Sequence, residues 1–260
     1  MKVNFYYSCW HYHFLKRGAL LNQCIFITSR LDQNHGGLTA SLLNKIYILN
    51  EELNIKPIIL TFHLDWKYNA IEEEIINRYD LEGKAIFFNM NEYFKNKPTS
   101  SPKIKYKFEP EASLTKREKL YNVKLVDKKI REIEKYSKGS VIEKVKLDNE
   151  ESLFSISYYE NGFLKKENLY RSDQSLFESR IYENKDGKDG IANITLFGEQ
   201  EMHFQSFEEL KVYFISLFIK SDITYLIGEA RSIDDAILSI KDERVRKIFM
   251  THSIHIRPGT

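Results

Sequence analysis

The sequence predicts an α/β fold, in which a Rossmann-like parallel sheet, forming one lobe, carries an inserted antiparallel β-meander. Three observations predict it. Short apolar runs alternate with amphipathic helical segments near both ends of the chain, apolar residues recur with a period close to two in the middle, and a glycine pair joins the first run to the first helix. The predicted boundaries are 1–122 and 205–260 for the two parts of the lobe and 123–204 for the insertion.

The composition bounds the classes of function. The chain has 260 residues, 42% of them hydrophobic and 29% charged, as in a soluble globular protein. The charges of its 39 basic and 37 acidic residues nearly cancel, so the net charge gives no indication of a nucleic-acid partner. The longest apolar candidate, 212–219, is far shorter than the roughly 18 residues of a membrane span, so any membrane contact is expected to be peripheral. Cys9 and Cys24 are interpreted as reduced, cytoplasmic thiols, and the aromatic and basic segment 1–21 as an apolar or membrane-adsorbing leader.

The first strand is predicted at 24–27, before a polar loop that ends at Gly36 and Gly37. Two adjacent residues without a Cβ let backbone N–H groups approach a ligand, and the N-terminus of the next helix favours an anion such as a diphosphate. Thr39 adds a hydroxyl in the first turn. The alternative is a glycine turn that only joins a strand to a helix, and the glycines by themselves favour it.

Two more apolar runs, at 57–62 and 85–88, flank a helical segment at 68–79. This βαβαβ order predicts a parallel sheet. Ligands of such sheets bind beyond the carboxyl ends of the strands, which is where the glycine loop lies.

The insertion is predicted from strand-like segments with a period near two. Asn161-Gly162 and Asp186-Gly187 lie between such segments as hairpin signals. The edges of this sheet favour oligomerisation. The segments are 141–147, 153–159, 163–170, 176–182 and 191–197.

The α/β pattern then returns with a helix at 207–220, for which Ser206 and Glu209 predict a capping box. A strand at 223–227, a helix at 234–240 and a strand at 246–251 follow.

The last strand leads into a loop with His252, His255 and Arg257 at the predicted carboxyl edge of the sheet. Loops at this edge are where α/β proteins build active sites. The two histidines could form a metal pair, but the sequence offers no convincing third ligand, so hydrogen bonding to a substrate is preferred.

Four stretches carry a family resemblance: 25–32, His35-Gly36-Gly37-Leu38-Thr39, Asn44-Lys45 and Thr251-His252-Ser253-Ile254-His255. They resemble the wall teichoic acid glycosyltransferases of Gram-positive bacteria that act on poly(glycerol-phosphate) or poly(ribitol-phosphate). The order of elements is similar too, and the glycosyltransferases that modify serine-rich adhesins share much of this layout.

The resemblance implies a GT-B enzyme with the donor nucleotide sugar between two Rossmann-like lobes. It places Gly36, Gly37 and Thr39 near the donor diphosphate and the acceptor, and either His252 or His255 at the transferred sugar. Arg257 completes the predicted substrate-binding set. The family's insertion forms a trimer hub and helps to hold a long acceptor. The implied UDP-sugar is a substrate, and neither a metal nor another cofactor is implied.

The leading hypothesis is the amino-terminal, acceptor-side portion of a retaining glycosyltransferase. It would transfer a hexose or N-acetylhexosamine from a UDP-sugar to a polyol-phosphate polymer, in the cytoplasm or at the inner face of the membrane. The family's second lobe, with its Arg and Lys and its Glu-x₇-Glu motif, is missing from the sequence, so we expect the chain alone to be inactive or nearly so. The alternatives are a non-catalytic oligomerisation or acceptor-binding module, and part of an enzyme that glycosylates Ser/Thr-rich adhesins.

Overall fold

The computed structural model describes residues 23–31, 37–99, 101, 103–104, 106, 121–148, 150–185 and 188–250. The described chain contains a five-stranded sheet and a separate eight-stranded sheet. The first is parallel throughout and the second antiparallel throughout, which confirms the predicted α/β class with an antiparallel insertion.

The parallel sheet is built from both ends of the chain. Its strand order is β13-β12-β1-β2-β3, so the first strand lies at the centre, next to a strand that follows the insertion. The apolar runs of β1 and β2 are buried, as parallel strands covered on both faces require, whereas the edge strand β13 buries only Val245. The strands are β1 (Gln23–Ile27), β2 (Ile58–Thr61), β3 (Ile86–Asn89), β12 (Thr224–Gly228) and β13 (Val245–Phe249).

Helices cover both faces of this sheet. Because side chains alternate along each strand, neighbouring residues of β1 pack against helices on opposite faces. Phe26 packs with Ile46 and Ile75 on one face, whereas Ile25 packs with Phe214 on the other. The described helices are α1 (Gly37–Leu53), α2 (Tyr68–Arg78), α3 (Met90–Lys95), α4 (Phe207–Ser216) and α5 (Asp234–Ser239), with a 3₁₀ turn at Arg231–Ile233.

The antiparallel sheet is a meander in which each strand pairs with its neighbour in sequence. The Asn161-Gly162 hairpin is confirmed: both residues have positive φ, at 53° and 80°. Asp186 and Gly187 lie outside the described residues, between two paired strands. The strands are β4 (Tyr121–Val126), β5 (Lys129–Ser137), β6 (Ser140–Leu147), β7 (Leu153–Glu160), β8 (Phe163–Tyr170), β9 (Leu176–Lys185), β10 (Lys188–Phe197) and β11 (Glu201–Phe204).

The two sheets share a hydrophobic core, which fixes the insertion against the parallel sheet. Leu169, Phe177 and Leu196 of the meander belong to the same buried cluster as Ile27 of β1 and Phe214 of α4. Strands β5 to β8 of the meander have a smaller cluster of their own around Ile133.

The capping box predicted at the start of α4 is formed in part. The Ser206 hydroxyl accepts a hydrogen bond from the Glu209 N–H at 3.1 Å. The Glu209 carboxylate accepts from the Gln205 N–H at 2.6 Å rather than from Ser206, so the reciprocal half of the capping box is displaced by one residue.

The end of α4 corrects the predicted helix 207–220. The helix ends at Ser216, because Phe218 N–H donates to the Ile215 carbonyl and Ile219 N–H to the Ser216 carbonyl. These bonds span three residues and tighten the last turn. In the described part of the chain, no helix is long and apolar enough to cross a membrane.

Candidate active site

The carboxyl ends of the five parallel strands meet at one edge of the sheet. Helix α1 begins there at Gly37, with Thr39 half-buried in its first turn. Gly36 lies outside the described residues, so the strand, loop and helix arrangement is confirmed, whereas the ligand-binding role of Gly36, Gly37 and Thr39 stays a prediction.

Strand β13, the last one described, ends at the same edge of the sheet. Strand β13 ends at Phe249, and the Met250 N–H then donates to the Gly228 carbonyl at 3.0 Å. His252, His255 and Arg257 lie outside the described residues, and their roles stay predictions. Because only β12 separates β13 from β1, the carboxyl ends of β1 and β13 lie about 10 Å apart.

A buried ion pair that the sequence did not predict lies between these two strand ends. Glu229 follows β12 directly, its N–H donates to the Ile27 carbonyl at 2.9 Å, and the residue is 1% exposed. Both of its carboxylate oxygens accept from the Lys45 ammonium, at 2.8 and 2.9 Å. Lys45 comes from α1, so the pair ties the helix after the glycine loop to the end of β12.

The pair has an electrostatic consequence for this edge. The Lys45 side chain is 23% exposed, so its ammonium lies between the buried Glu229 carboxylate and the surface. A carboxylate buried here without its cation would be strongly destabilising, and the contact therefore fixes both side chains at the edge. The signal for this pair in the sequence is an acid directly after an apolar strand.

Polar side chains also order the ends of β2 and β3. The Asn89 amide oxygen caps α3 by accepting from the N–H groups of Asn91 and Glu92, at 2.9 and 3.2 Å. The amide nitrogen of Asn89 donates to the Thr61 hydroxyl at 3.1 Å and to the His63 carbonyl at 2.9 Å. The exposed His63 is thereby held at the carboxyl end of β2.

Next to this network, burial raises the pKa of Glu72 to about 7. The nearby Glu92 carboxylate contributes in the same direction, and the Tyr68 hydroxyl opposes the shift. Tyr68 is itself buried, and desolvation raises the pKa of its hydroxyl. Glu72 therefore exchanges a proton near neutral pH.

The raised pKa predicts a pH-dependent stability. The folded protein holds a proton on Glu72 more tightly than the unfolded chain, so this stabilisation is complete below about pH 4.5 and is lost as the pH rises through 7. Replacing Glu72 with Gln should raise the free energy of unfolding by about 1–2 kcal/mol at pH 8 and change it little at pH 4. Urea unfolding at both pH values measures this. The matched control is Glu73→Gln on the exposed face of α2, and equal effects of the two variants at pH 8 would contradict the assignment.

A junction cluster, formed by Asn91, Glu167, Glu178 and Arg180, joins this edge to the insertion. The Arg180 guanidinium contacts Glu178 Oε1 at 2.5 Å and Glu167 Oε2 at 3.4 Å, and donates to Asn91 Oδ1 at 3.2 Å. Burial disfavours the charge of Arg180, but the two carboxylates outweigh it and raise the pKa of the guanidinium. The Asn91 amide also donates to the Phe62 carbonyl at 2.9 Å, just beyond β2.

A second contact between the same two parts involves Trp66, in the loop after β2. The guanidinium of Arg131, from β5, lies over the Trp66 ring, 4.9 Å from its centroid. Among the residues that the structure describes, no group of three or more His, Cys, Asp or Glu side chains is placed to hold a metal ion. The described thiol, Cys24, is buried and free.

Comparison with solved structures shows that this fold resembles that of glycosyltransferases. No protein-family model matches the chain, and none of the curated proteins matches it. Several glycosyltransferase structures match it, each at less than 25% sequence identity, so the likeness concerns the fold. It confirms, at that level, the relationship predicted from the resemblance.

The individual matches are as follows. A point mutant of S. aureus TarM, in complex with Fondaparinux, alpha-GlcNAc-glycerol and UDP, has a TM-score of 0.70 at 18% identity, over 88% of this chain and 50% of that one. The GtfA/B complex has a TM-score of 0.56 at 15% identity, over 89% and 48%. The pneumococcal O-GlcNAc transferase GtfA, in complex with UDP and GlcNAc, has a TM-score of 0.55 at 11% identity, over 89% and 48%. This chain spans about half the length of these structures.

Proposed function

We propose that this chain is the acceptor-side, amino-terminal portion of a retaining GT-B glycosyltransferase. It would contribute to the transfer of a hexose or N-acetylhexosamine from a UDP-sugar to a polyol-phosphate polymer. The observation that carries the proposal is the shared fold: one parallel sheet with an antiparallel insertion aligns over 88% of this chain with half of TarM. Two of the three ligands of that TarM structure, UDP and alpha-GlcNAc-glycerol, are a nucleotide and a sugar joined to a polyol.

In the proposed enzyme, the parallel sheet corresponds to the Rossmann-like first lobe. The amino end of α1 faces the donor diphosphate and favours its negative charge, with Gly36, Gly37 and Thr39 in contact with substrate. His252 or His255 contacts the transferred sugar, and Arg257 binds substrate. The Lys45–Glu229 pair would position α1 without touching the reacting atoms.

The remaining chemistry would come from a second lobe. Stabilising the negative charge of the leaving nucleotide is the main electrostatic requirement of such a transfer, and in the proposed enzyme the Arg and Lys of that lobe meet it without a metal. We therefore propose that this chain is inactive or nearly so by itself, and that the active enzyme works in the cytoplasm or at the inner face of the membrane.

The first test is the coding sequence directly downstream of Thr260, read in all three frames. The proposal expects a second α/β lobe with basic residues and a Glu-x₇-Glu motif, and it expects the joined protein to release UDP from UDP-glucose or UDP-N-acetylglucosamine when poly(glycerol phosphate) is added. A joined protein that binds neither UDP-glucose nor UDP-N-acetylglucosamine would contradict the enzyme assignment.

A second candidate is a non-catalytic module for assembly or acceptor binding. Strand β4 favours it, because β4 pairs only with β5 among the described strands and leaves its other edge open. Val123, Leu125 and Val126 on this strand are 36%, 59% and 37% exposed. A homotrimer held by this edge would fit either candidate, and a Ser/Thr-rich protein acceptor is the alternative substrate implied by the resemblance to the adhesin-modifying glycosyltransferases.

A further inference from the structure

A cavity of about 380 Å³ lies where the chain passes from the parallel sheet toward the insertion. One wall is the segment after α3, and the other is the turn between β8 and β9. The walls carry three basic side chains, from Lys95, Lys97 and Arg171, and one acidic side chain, from Asp173.

Arg171 gives this cavity a buried positive charge. The residue is 8% exposed, and the hydrogen bonds of its guanidinium all go to backbone carbonyls: those of Lys95 at 2.7 Å, Leu176 at 2.8 Å, Phe197 at 2.9 Å and Phe94 at 3.4 Å. Carbonyls carry no net charge, so these bonds hold the cation in place without neutralising it. Desolvation lowers the pKa of Arg171, and the negative charge of the nearby Asp173 carboxylate opposes this shift in part.

The acid in the wall is already engaged. The Asp173 carboxylate pairs with the Lys103 ammonium at 2.8 Å and accepts from the Ser175 hydroxyl at 2.6 Å. These hydrogen bonds lower the pKa of Asp173, so it stays ionised and paired.

The two lysines of the wall also contact side chains outside the cavity lining. Lys97 is exposed, and its ammonium lies over the Tyr93 ring, 4.4 Å from the centroid. Lys95 is 3.4 Å from the Glu92 carboxylate, at the long end of an ion-pair contact. The hydroxyls of Thr99 and Ser172 line the same cavity and can donate hydrogen bonds.

We propose that this cavity is a phosphate-group binding site, in which Lys95, Lys97 and the buried Arg171 attract the anion and the wall hydroxyls orient it. If the bound phosphates belong to a polymeric acceptor, this proposal rests on the proposed function. The binding of a phosphate group as such depends only on the residues of the cavity.

The source of the phosphate is either free phosphate or the phosphodiester of a polymer. Two probes distinguish the sources: inorganic phosphate, and a short glycerol-phosphate oligomer.

Titration calorimetry of the 260-residue chain at low ionic strength tests the site. The double variant Lys95→Gln/Lys97→Gln should weaken binding of both probes about tenfold, since it removes two charge-assisted contacts. The matched control, Lys124→Gln/Lys128→Gln, removes the same charge from the exposed β4–β5 hairpin and should leave binding within about twofold. Arg171 is left intact because its carbonyl contacts join several segments.

The outcomes of this experiment test the phosphate site independently of the proposed glycosyltransferase function. Equal binding by the cavity variant and the wild type, or equal losses in the cavity and control variants, would overturn the site. Tighter binding of the oligomer than of phosphate identifies a polymer as the source, and equal binding identifies free phosphate. If the site binds phosphate but the joined protein transfers no sugar, the proposed function fails and this site stands.

Discussion

Replacing Glu229 with Leu should leave the Lys45 ammonium at the carboxyl edge without its carboxylate, and replacing Lys45 with Met should leave the Glu229 carboxylate buried without the Lys45 cation. The second change is the more costly, because Glu229 is 1% exposed and Lys45 donates to both of its oxygens. We expect Lys45→Met to lower the free energy of unfolding by about 3–5 kcal/mol. Urea unfolding followed by circular dichroism measures it.

The double variant Lys45→Met/Glu229→Leu separates the ion pair from packing. Replacing both partners with apolar residues of similar size is often neutral or stabilising, so the double variant should recover most of the loss. Lys84→Met removes a cation from the surface pair with Asp80 and should change stability little. A double variant as unstable as Lys45→Met would show that the two side chains do not act as a pair.

Arg180→Met should destabilise the contact between the insertion and the parallel sheet. It leaves Glu178, which is fully buried, and Glu167 without their cation, and it removes the bond to Asn91. We expect a loss of about 3–5 kcal/mol in the free energy of unfolding. Hydrogen exchange should also increase in α3 and β9, the elements that carry Asn91 and Arg180.

Arg244→Met is the matched control for this change. Arg244 pairs with Asp242 in an exposed loop, so its loss removes the same charge without burying an unpaired carboxylate. Equal stability of Arg180→Met and wild type, or equal exchange in α3 and β9, would contradict the role assigned to the junction cluster.

Much of the fold follows from local patterns in the sequence. The βαβαβ start is predicted by three apolar runs with two helical segments between them, and the central meander strands by their period near two and by Asn161-Gly162. Strands β4, β5 and β11 were not predicted individually, and α3 was not predicted. All six residues of β4 are at least partly exposed, so burial leaves no clear pattern in its sequence.

The ion pairs of the site depend on contacts between distant residues. Lys45 and Glu229 are 184 positions apart, and Asn91 and Arg180 are 89 apart. Periodicity shows which residues share a face, but it does not show which polar groups the fold brings together. Lys45 therefore stands out only because it lies in a stretch that carries the family resemblance, and no local pattern singles out Glu229 or Arg180.

The rate of sugar transfer by the joined protein would test directly whether the carboxyl edge of the parallel sheet is the active site. His252→Ala and His255→Ala would be compared with the wild type in the incorporation of labelled sugar from UDP-N-acetylglucosamine or UDP-glucose into poly(glycerol phosphate). We predict that one variant lowers kcat at least about 100-fold, the scale of a lost catalytic contact, while its free energy of unfolding is unchanged. Wild-type rates in both variants would contradict an active site at this edge.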